Sequence, residues 1–236
     1  MRIPMYKYAT PSHYSLNRWY NLVMRSFNTT DHFLSQIDKG LRTLMVKPNA
    51  RKLTSPADNV DSKSELNEND KKISARLMRV NHAGEIAAQG LYLGHSLMAK
   101  DEGIKQNFNQ SAQEEEAHLS WCDKRLDELQ DRPSVFAPVW YLGSYAMGAA
   151  VGVLGDKWSL GFVSETEKQV VKHIDKHLSR LPEDDIKSRE ILLKMREEEA
   201  MHDKNAQAAG AYELPQLAKV LMNSVSKIMT KTSYWI

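Results

Sequence analysis

The sequence predicts an all-α protein built on a four-helix bundle, with an additional hydrophobic crossover helix and a C-terminal helix. Three observations predict it. Long stretches repeat apolar residues in steps of three and four, and none shows the period of two that a strand needs. Most of the 11 Gly and 8 Pro fall outside those stretches. At 236 residues the chain fits one medium domain plus an appendage. Its 32 Lys and Arg against 30 Asp and Glu leave a net charge of +2, too little for bulk nucleic-acid binding. A single cysteine, Cys122, excludes an internal disulfide and a Cys-based metal cage. Any metal must be held by His and carboxylate.

Residues 1–30 hold three Arg, one Lys and no acid. This basic extension resembles a transit peptide, or equally an untranslated stretch read as protein. Within 31–70, Phe33, Ile37, Leu41, Leu44 and Met45 mark a short amphipathic helix suited to docking on a core or a lipid surface. A polar linker is expected from Lys47 to Asp70. The main domain, 71–236, then reads as helices over about 70–100, 104–130, 135–155, 157–181, 183–209 and 216–230. The third has no charged residue over 21 positions and carries five Gly or Pro. It can be a buried crossover, a membrane span or an interfacial helix. The expectation is interfacial, with Phe136, Trp140, Tyr141 and Tyr145 at headgroup depth.

The chemistry lies in the apolar seams. In the second helix Phe108, Ala112, Glu115, Leu119, Cys122, Leu126 and Leu129 advance by threes and fours, so Glu115 points inward. His118, three residues on, lies about 60° round the same face. The fifth helix repeats this with Leu192, Met195, Glu199, His202 and Ala206. Glu167 occupies the seam of the fourth helix. Glu85 shares a face of the first with Met78, Ala88 and Tyr92, a weaker stripe because Asn81 interrupts it. The chain thus reads Glu, Glu-x-x-His, Glu, Glu-x-x-His, one unit per helix. A carboxylate-bridged two-metal site in a four-helix bundle uses this donor set. Four unpaired carboxylates on apolar seams would each cost several kcal/mol to desolvate. Two divalent cations match the −4, and this oxygen-rich set suits iron or manganese better than structural zinc. His82 is expected as a neighbour of the ligands, and His173 as either pocket-lining or surface. His95 and His177 are expected on the surface. Glu114, Glu116, Glu197 and Glu198 are expected on a solvated acidic face, and Cys122 in the core.

Six motifs carry a family resemblance: Asn81-His82-Ala83-Gly84-Glu85; Glu114-Glu115-Glu116-Ala117-His118-Leu119; Arg132-Pro133-Ser134; Gly161-Phe162-Val163 with Thr166-Glu167; Glu197-Glu198-Glu199 with His202; and Met229-Thr230-Lys231. Over about 32–236 the chain resembles the demethoxyubiquinone hydroxylases of ubiquinone biosynthesis, bacterial branch, within the ferritin-like di-iron carboxylate proteins. It departs from animal members at Asn81 and at Ile174, so no electron-transfer role of an aromatic residue carries over to Ile174. The resemblance implies a ferritin-like di-iron hydroxylase domain at 71–236. Its implied iron ligands are Glu85, Glu115, His118, Glu167, Glu199 and His202, with two Fe ions as cofactor and O₂ as co-substrate. Tyr92 and His173 are expected at the substrate pocket.

The implied reaction hydroxylates 2-polyprenyl-3-methyl-6-methoxy-1,4-benzoquinol, one oxygen atom entering a ring C–H and the other leaving as water. Because the polyprenyl tail is too apolar to cross water, the enzyme is expected at a bilayer, held peripherally by residues 135–155. The implied place is the cytoplasmic face of the cell inner membrane, or alternatively the matrix side of the mitochondrial inner membrane. Other ubiquinone-biosynthesis proteins are possible partners. With no Gly-x-Gly-x-x-Gly fingerprint, electrons are expected without a dedicated Rossmann domain. The competing readings are another ferritin-like di-iron oxidase, an iron-storage or ferroxidase protein, and a metal-free membrane adaptor.

Overall fold

The computed structural model describes residues 54–61 and 65–236, together with the isolated helical positions Ser35, Asp38, Gly40 and Thr43. The basic extension 1–30 lies outside the described residues, as do the apolar positions that predicted the helix around Phe33 to Met45. Thr43 donates to Gln89 Oε1 at 2.5 Å.

Six helices follow: α1 (Glu68–Met98), α2 (Glu102–Glu128), α3 (Ala137–Val153), α4 (Asp156–Leu178), α5 (Ile186–Ala208) and α6 (Gln216–Trp235). The described residues contain no strand. Local chemistry sets the boundaries. Asn67, Asp101 and Asp185 each cap a helix start by accepting a backbone N–H in the first turn. Gly155 at φ +115 turns α3 into α4, and Gly210 at φ +94 follows the end of α5. The last helix runs to Trp235, beyond the predicted 230, because its end has partners. Trp140 Nε1 donates to Ser233 Oγ at 3.1 Å, and Arg76 stacks on the Trp235 ring at 4.4 Å.

Helices α1 and α2 form one hairpin and α4 and α5 another, with short loops as in an up-down bundle. α3 runs parallel to α1 along its outer side and carries the chain across to α4. Small residues permit that contact. A Cβ on Gly90 would meet the Tyr141 carbonyl oxygen, one on Gly94 that of Tyr145, and one on Gly148 that of Leu91. The two interior clusters sit above and below one level of the bundle. Leu77, Met78, Trp121, Leu126, Ile191 and Met195 belong to one, and Ile86, Leu93, Phe108, Leu119 and Leu160 to the other. Between them lie the six predicted polar residues.

Two sequence expectations change here. The stretch read as a linker docks in part: Ala57 is buried, Trp121 Nε1 donates to the Thr54 carbonyl at 3.1 Å, and Lys124 pairs with Asp58. Its polarity is that of a capped turn, with Asp58 accepting from the Ser55 N–H at 2.9 Å. The hydrophobic helix is neither wholly buried nor presented by its aromatic side. Tyr141 is buried against α1, while Val139, Leu142, Met147, Val153 and Leu154 are exposed. Among the described residues, no helix is long and apolar enough to cross a membrane. At 17 residues, α3 is about 26 Å long, short of a hydrocarbon layer of about 30 Å.

Candidate metal centre

All six seam residues converge. Glu85, Glu115, His118 and Glu199 offer donor atoms within 4.8 Å of one another, and Glu115, Glu167, Glu199 and His202 form a second such group. Glu115 and Glu199 belong to both. Their oxygens divide between the histidines. Glu115 places Oε2 3.1 Å from His118 Nδ1 and Oε1 3.3 Å from His202 Nδ1. Glu199 places Oε1 3.2 Å from His118 Nδ1 and Oε2 3.3 Å from His202 Nδ1. Glu85 completes the first group, with Oε2 3.5 Å from His118 Nδ1. Glu167 completes the second and accepts a hydrogen bond from the Tyr92 hydroxyl at 2.8 Å. Each of the four carboxylates is 3% exposed or less.

Burial and proximity set the proton inventory. Burial pushes Glu85 and Glu167 well above the usual carboxylate range, reinforced by the charges of Glu115 and Glu199. Burial pushes Glu115 up too, but the adjacent His118 and His202 rings prevail and hold it low. Glu199 is held low by the same two rings, against burial and the charge of Glu115. Burial opposes protonation of the histidines, yet the surrounding carboxylates raise His118 well above its usual value and push His202 up to about 12. The four carboxylates and the two rings thus compete for protons where cations would neutralise the carboxylates. Protons fill the role incompletely. Glu85 Oε2, Glu115 Oε1, Glu199 Oε2 and His202 Nδ1 are buried with no hydrogen-bond partner, an arrangement that costs free energy unless something else ligates them. The donor set fits divalent cations, and Glu115 and Glu199 could serve both groups.

The outer nitrogens carry a feature absent from the sequence reading. His118 Nε2 stands 2.7 Å from Glu198 Oε2, and His202 Nε2 stands 2.8 Å from Glu114 Oε2. Glu114 is exposed as expected and Glu198 is half-buried, yet each reaches across from the opposite helix to partner one of the two rings. A ring N–H donated outward leaves Nδ1 as the inward donor. The signal was available: each motif is Glu-Glu-x-x-His, with a Glu four residues before the His in both helices. Glu116 and Glu197 are exposed as expected.

The remaining histidines divide. His82 Nε2 pairs with Asp123 at 3.0 Å and lies outside both donor groups. His95 and His177, expected on the surface, are buried at 0% and 2% exposure. Both continue the three-and-four steps of their seams, His95 after Tyr92 and His177 after Ile174. His95 stands between the Phe108 and Phe162 rings, with centroids at 5.4 and 5.9 Å, and burial pushes it down to about 3. His177 faces the Asn81 Oδ1 at 3.2 Å, which explains the interruption in the α1 stripe. His173 lines a cleft between α4 and α6 and is not among the converging donors. Cys122 is buried against Met195, a core residue as expected.

A profile of the family described as "Ubiquinone biosynthesis protein COQ7" matches residues 72–233. The chain belongs to that family. Curated relatives of this COQ7-family protein carry the name 3-demethoxyubiquinol 3-hydroxylase. That of Nitrosococcus oceani is 46% identical over 212 residues, covering 90% of this chain and 99% of the relative. That of Legionella pneumophila strain Paris is 48% identical over 216 residues, covering 90% and 100%. That of Ralstonia pickettii is 45% identical over 216 residues, covering 87% and 99%. The bacterial branch and the bundle class expected from sequence both agree with these relatives and with the fold.

Proposed function

We propose that this protein is a di-iron monooxygenase that hydroxylates demethoxyubiquinol in ubiquinone biosynthesis. The observation that carries this reading is the division of the Glu115 and Glu199 oxygens between two histidines, on a chain whose relatives bear that enzyme's name. Glu85 and His118 would complete one iron site, Glu167 and His202 the other. Bound iron would supply electrons and open coordination positions for O₂. The chain's own residues do the rest. Glu115 and Glu199, which belong to both donor groups, would be shared between the two ions. Glu198 and Glu114 orient the rings by accepting from Nε2. Tyr92 stays protonated, raised by burial and by Glu167, and its hydroxyl fixes which Glu167 oxygen remains free. The apolar clusters on either side keep bulk water from the carboxylates.

The substrate's polyprenyl tail belongs to a bilayer, and the exposed apolar side of α3 is the surface we assign to peripheral contact with it. The α6 helix adds Leu217, Leu221, Val225 and Ile228, also exposed. The inner membrane is the expected compartment. The deciding experiment is complementation of a strain lacking this protein, followed by lipid extraction. The wild-type chain restores ubiquinone, whereas Glu199→Ala accumulates the quinone lacking one ring oxygen and retains no iron on purification. Unchanged turnover in that variant overturns the reading.

A further inference from the structure

The cleft between α4 and α6 has a volume of about 460 Å³, within the range of small-ligand sites. Its lining is chemically one-sided. Lys168, Lys172, Lys176, Lys219 and Lys227 face it against one carboxylate, Glu165, which accepts from Gln169 at 2.8 Å. Lys168 is drawn to Asp203 at 3.6 Å and Lys219 to Glu213 at 3.1 Å. Lys172, Lys176 and Lys227 have no carboxylate partner among the described residues. His173 Nε2, also in the lining, is buried without a hydrogen-bond partner. Asn223 and Ser226 add neutral polar groups.

Five ammonium groups around one hollow repel one another, and an anion with several oxygens relieves that repulsion while accepting from more than one amine. A carboxylate offers two oxygens; a phosphate offers more, in a geometry that point-charge lysines accept readily. The helix that forms one wall also exposes an apolar stripe, Leu217, Leu221, Val225 and Ile228. An amphipathic helix of this kind, with lysines beside an apolar face, lies at an interface where phosphate headgroups are dense.

We propose that the lysine-lined cleft between α4 and α6 is a binding site for a phosphate-bearing anion, separate from the metal centre. The source is a lipid headgroup or a soluble phosphate, and one set of variants separates them. The test compares the full-length wild-type protein, a Lys172→Gln/Lys176→Gln/Lys227→Gln variant, and a Lys71→Gln/Lys100→Gln/Lys105→Gln control of equal charge change. Each is titrated with inorganic pyrophosphate by calorimetry. Each is also sedimented with phosphatidylcholine vesicles, with and without phosphatidylglycerol. Circular dichroism melting verifies that all three are folded. Loss of pyrophosphate binding in the cleft variant alone supports the site with a soluble ligand. Loss of the preference for phosphatidylglycerol in the cleft variant alone, on the order of a hundredfold for three lysines, supports it with a headgroup. Equal behaviour of the cleft and control variants in both assays overturns the proposal, as does failure of the wild type to bind either probe.

Discussion

Glu198→Ala removes the outer partner of His118 and tests whether the crossed carboxylates tune the centre one ion at a time. The Glu198 contact is 2.7 Å long, a charge-assisted bond to a ring that is itself fully buried. Without it, His118 Nε2 loses its acceptor and the ring loses the contact that aims Nδ1 inward. Removing such a partner weakens metal affinity by about 10–100-fold, or about 1.4–2.7 kcal/mol. The side chain of Glu198 is 37% exposed and that of Glu114 is 46% exposed, so water can replace part of each bond. The expected losses therefore fall toward tenfold, smaller for Glu114→Ala than for Glu198→Ala. Because Glu198 touches only His118 of the two rings, and Glu114 only His202, each variant should weaken a different binding step. Glu198→Gln keeps an acceptor oxygen and should recover part of the loss.

The assay is anaerobic titration of metal-free protein with ferrous iron against a competing chelator, resolving two steps. The expected pattern is one step weakened in each single variant and both weakened in the double. If both steps are unchanged in the alanine variants, the outer carboxylates do not position the rings. If each variant weakens both steps equally, the crossed assignment is wrong.

Other consequences follow from particular contacts. His95 is neutral in the folded protein down to about pH 3, whereas in the unfolded chain it takes a proton near 6.5. Its contribution is therefore intact above pH 6.5 and is lost on acidification at about 1.4 kcal/mol per pH unit. His95→Leu should flatten urea-derived stability between pH 6.5 and 4.5 by that slope, and parallel curves for variant and wild type would refute the assignment. Gly94→Ala places a methyl against the Tyr145 carbonyl and should cost about 1–3 kcal/mol by forcing α3 off α1. The melting temperature should fall by roughly 2–4 °C per kcal/mol, and an unchanged value would show that α3 is not held there. Asp185 binds the Arg125 guanidinium at 2.8 Å and caps α5. Asp185→Ala removes the α5 cap and the buried carboxylate on Arg125, which keeps Glu128 at 2.7 Å, and should destabilise by about 2–4 kcal/mol in denaturant titration.

Much of the bundle was legible because its helices obey one rule. The seam that steps by three and four from Phe108 to Leu129 is buried throughout, whereas the equally regular α6 stripe from Leu217 to Ile228 is exposed. The errors arise where burial is decided by a neighbour outside the element. Tyr141 read as an interfacial aromatic because nothing local says that Gly90 and Gly94 leave a groove for α3 on α1. The docked turn at Ser55 to Asp58 read as linker because its apolar content is one alanine, and its anchors, Trp121 and Lys124, are more than sixty residues away.

The centre itself was legible in its inner six residues and not in its outer pair, for a physical reason. A carboxylate within an apolar seam is anomalous wherever it occurs, since its desolvation needs a partner, so Glu115 and Glu199 stand out from sequence alone. Glu114 and Glu198 sit one position round the helix, at the edge where acidic residues are ordinary. They gain meaning only when α2 and α5 face each other and each Glu reaches the imidazole of the other helix. Crossing the contacts in this way couples the two helices through the rings as well as through the bridging carboxylates. A helix that shifted along its neighbour would lose both outer bonds and misalign both Nδ1 atoms together. The geometry thus makes helix register and ring orientation a single variable, which the Glu114 and Glu198 variants probe from opposite sides.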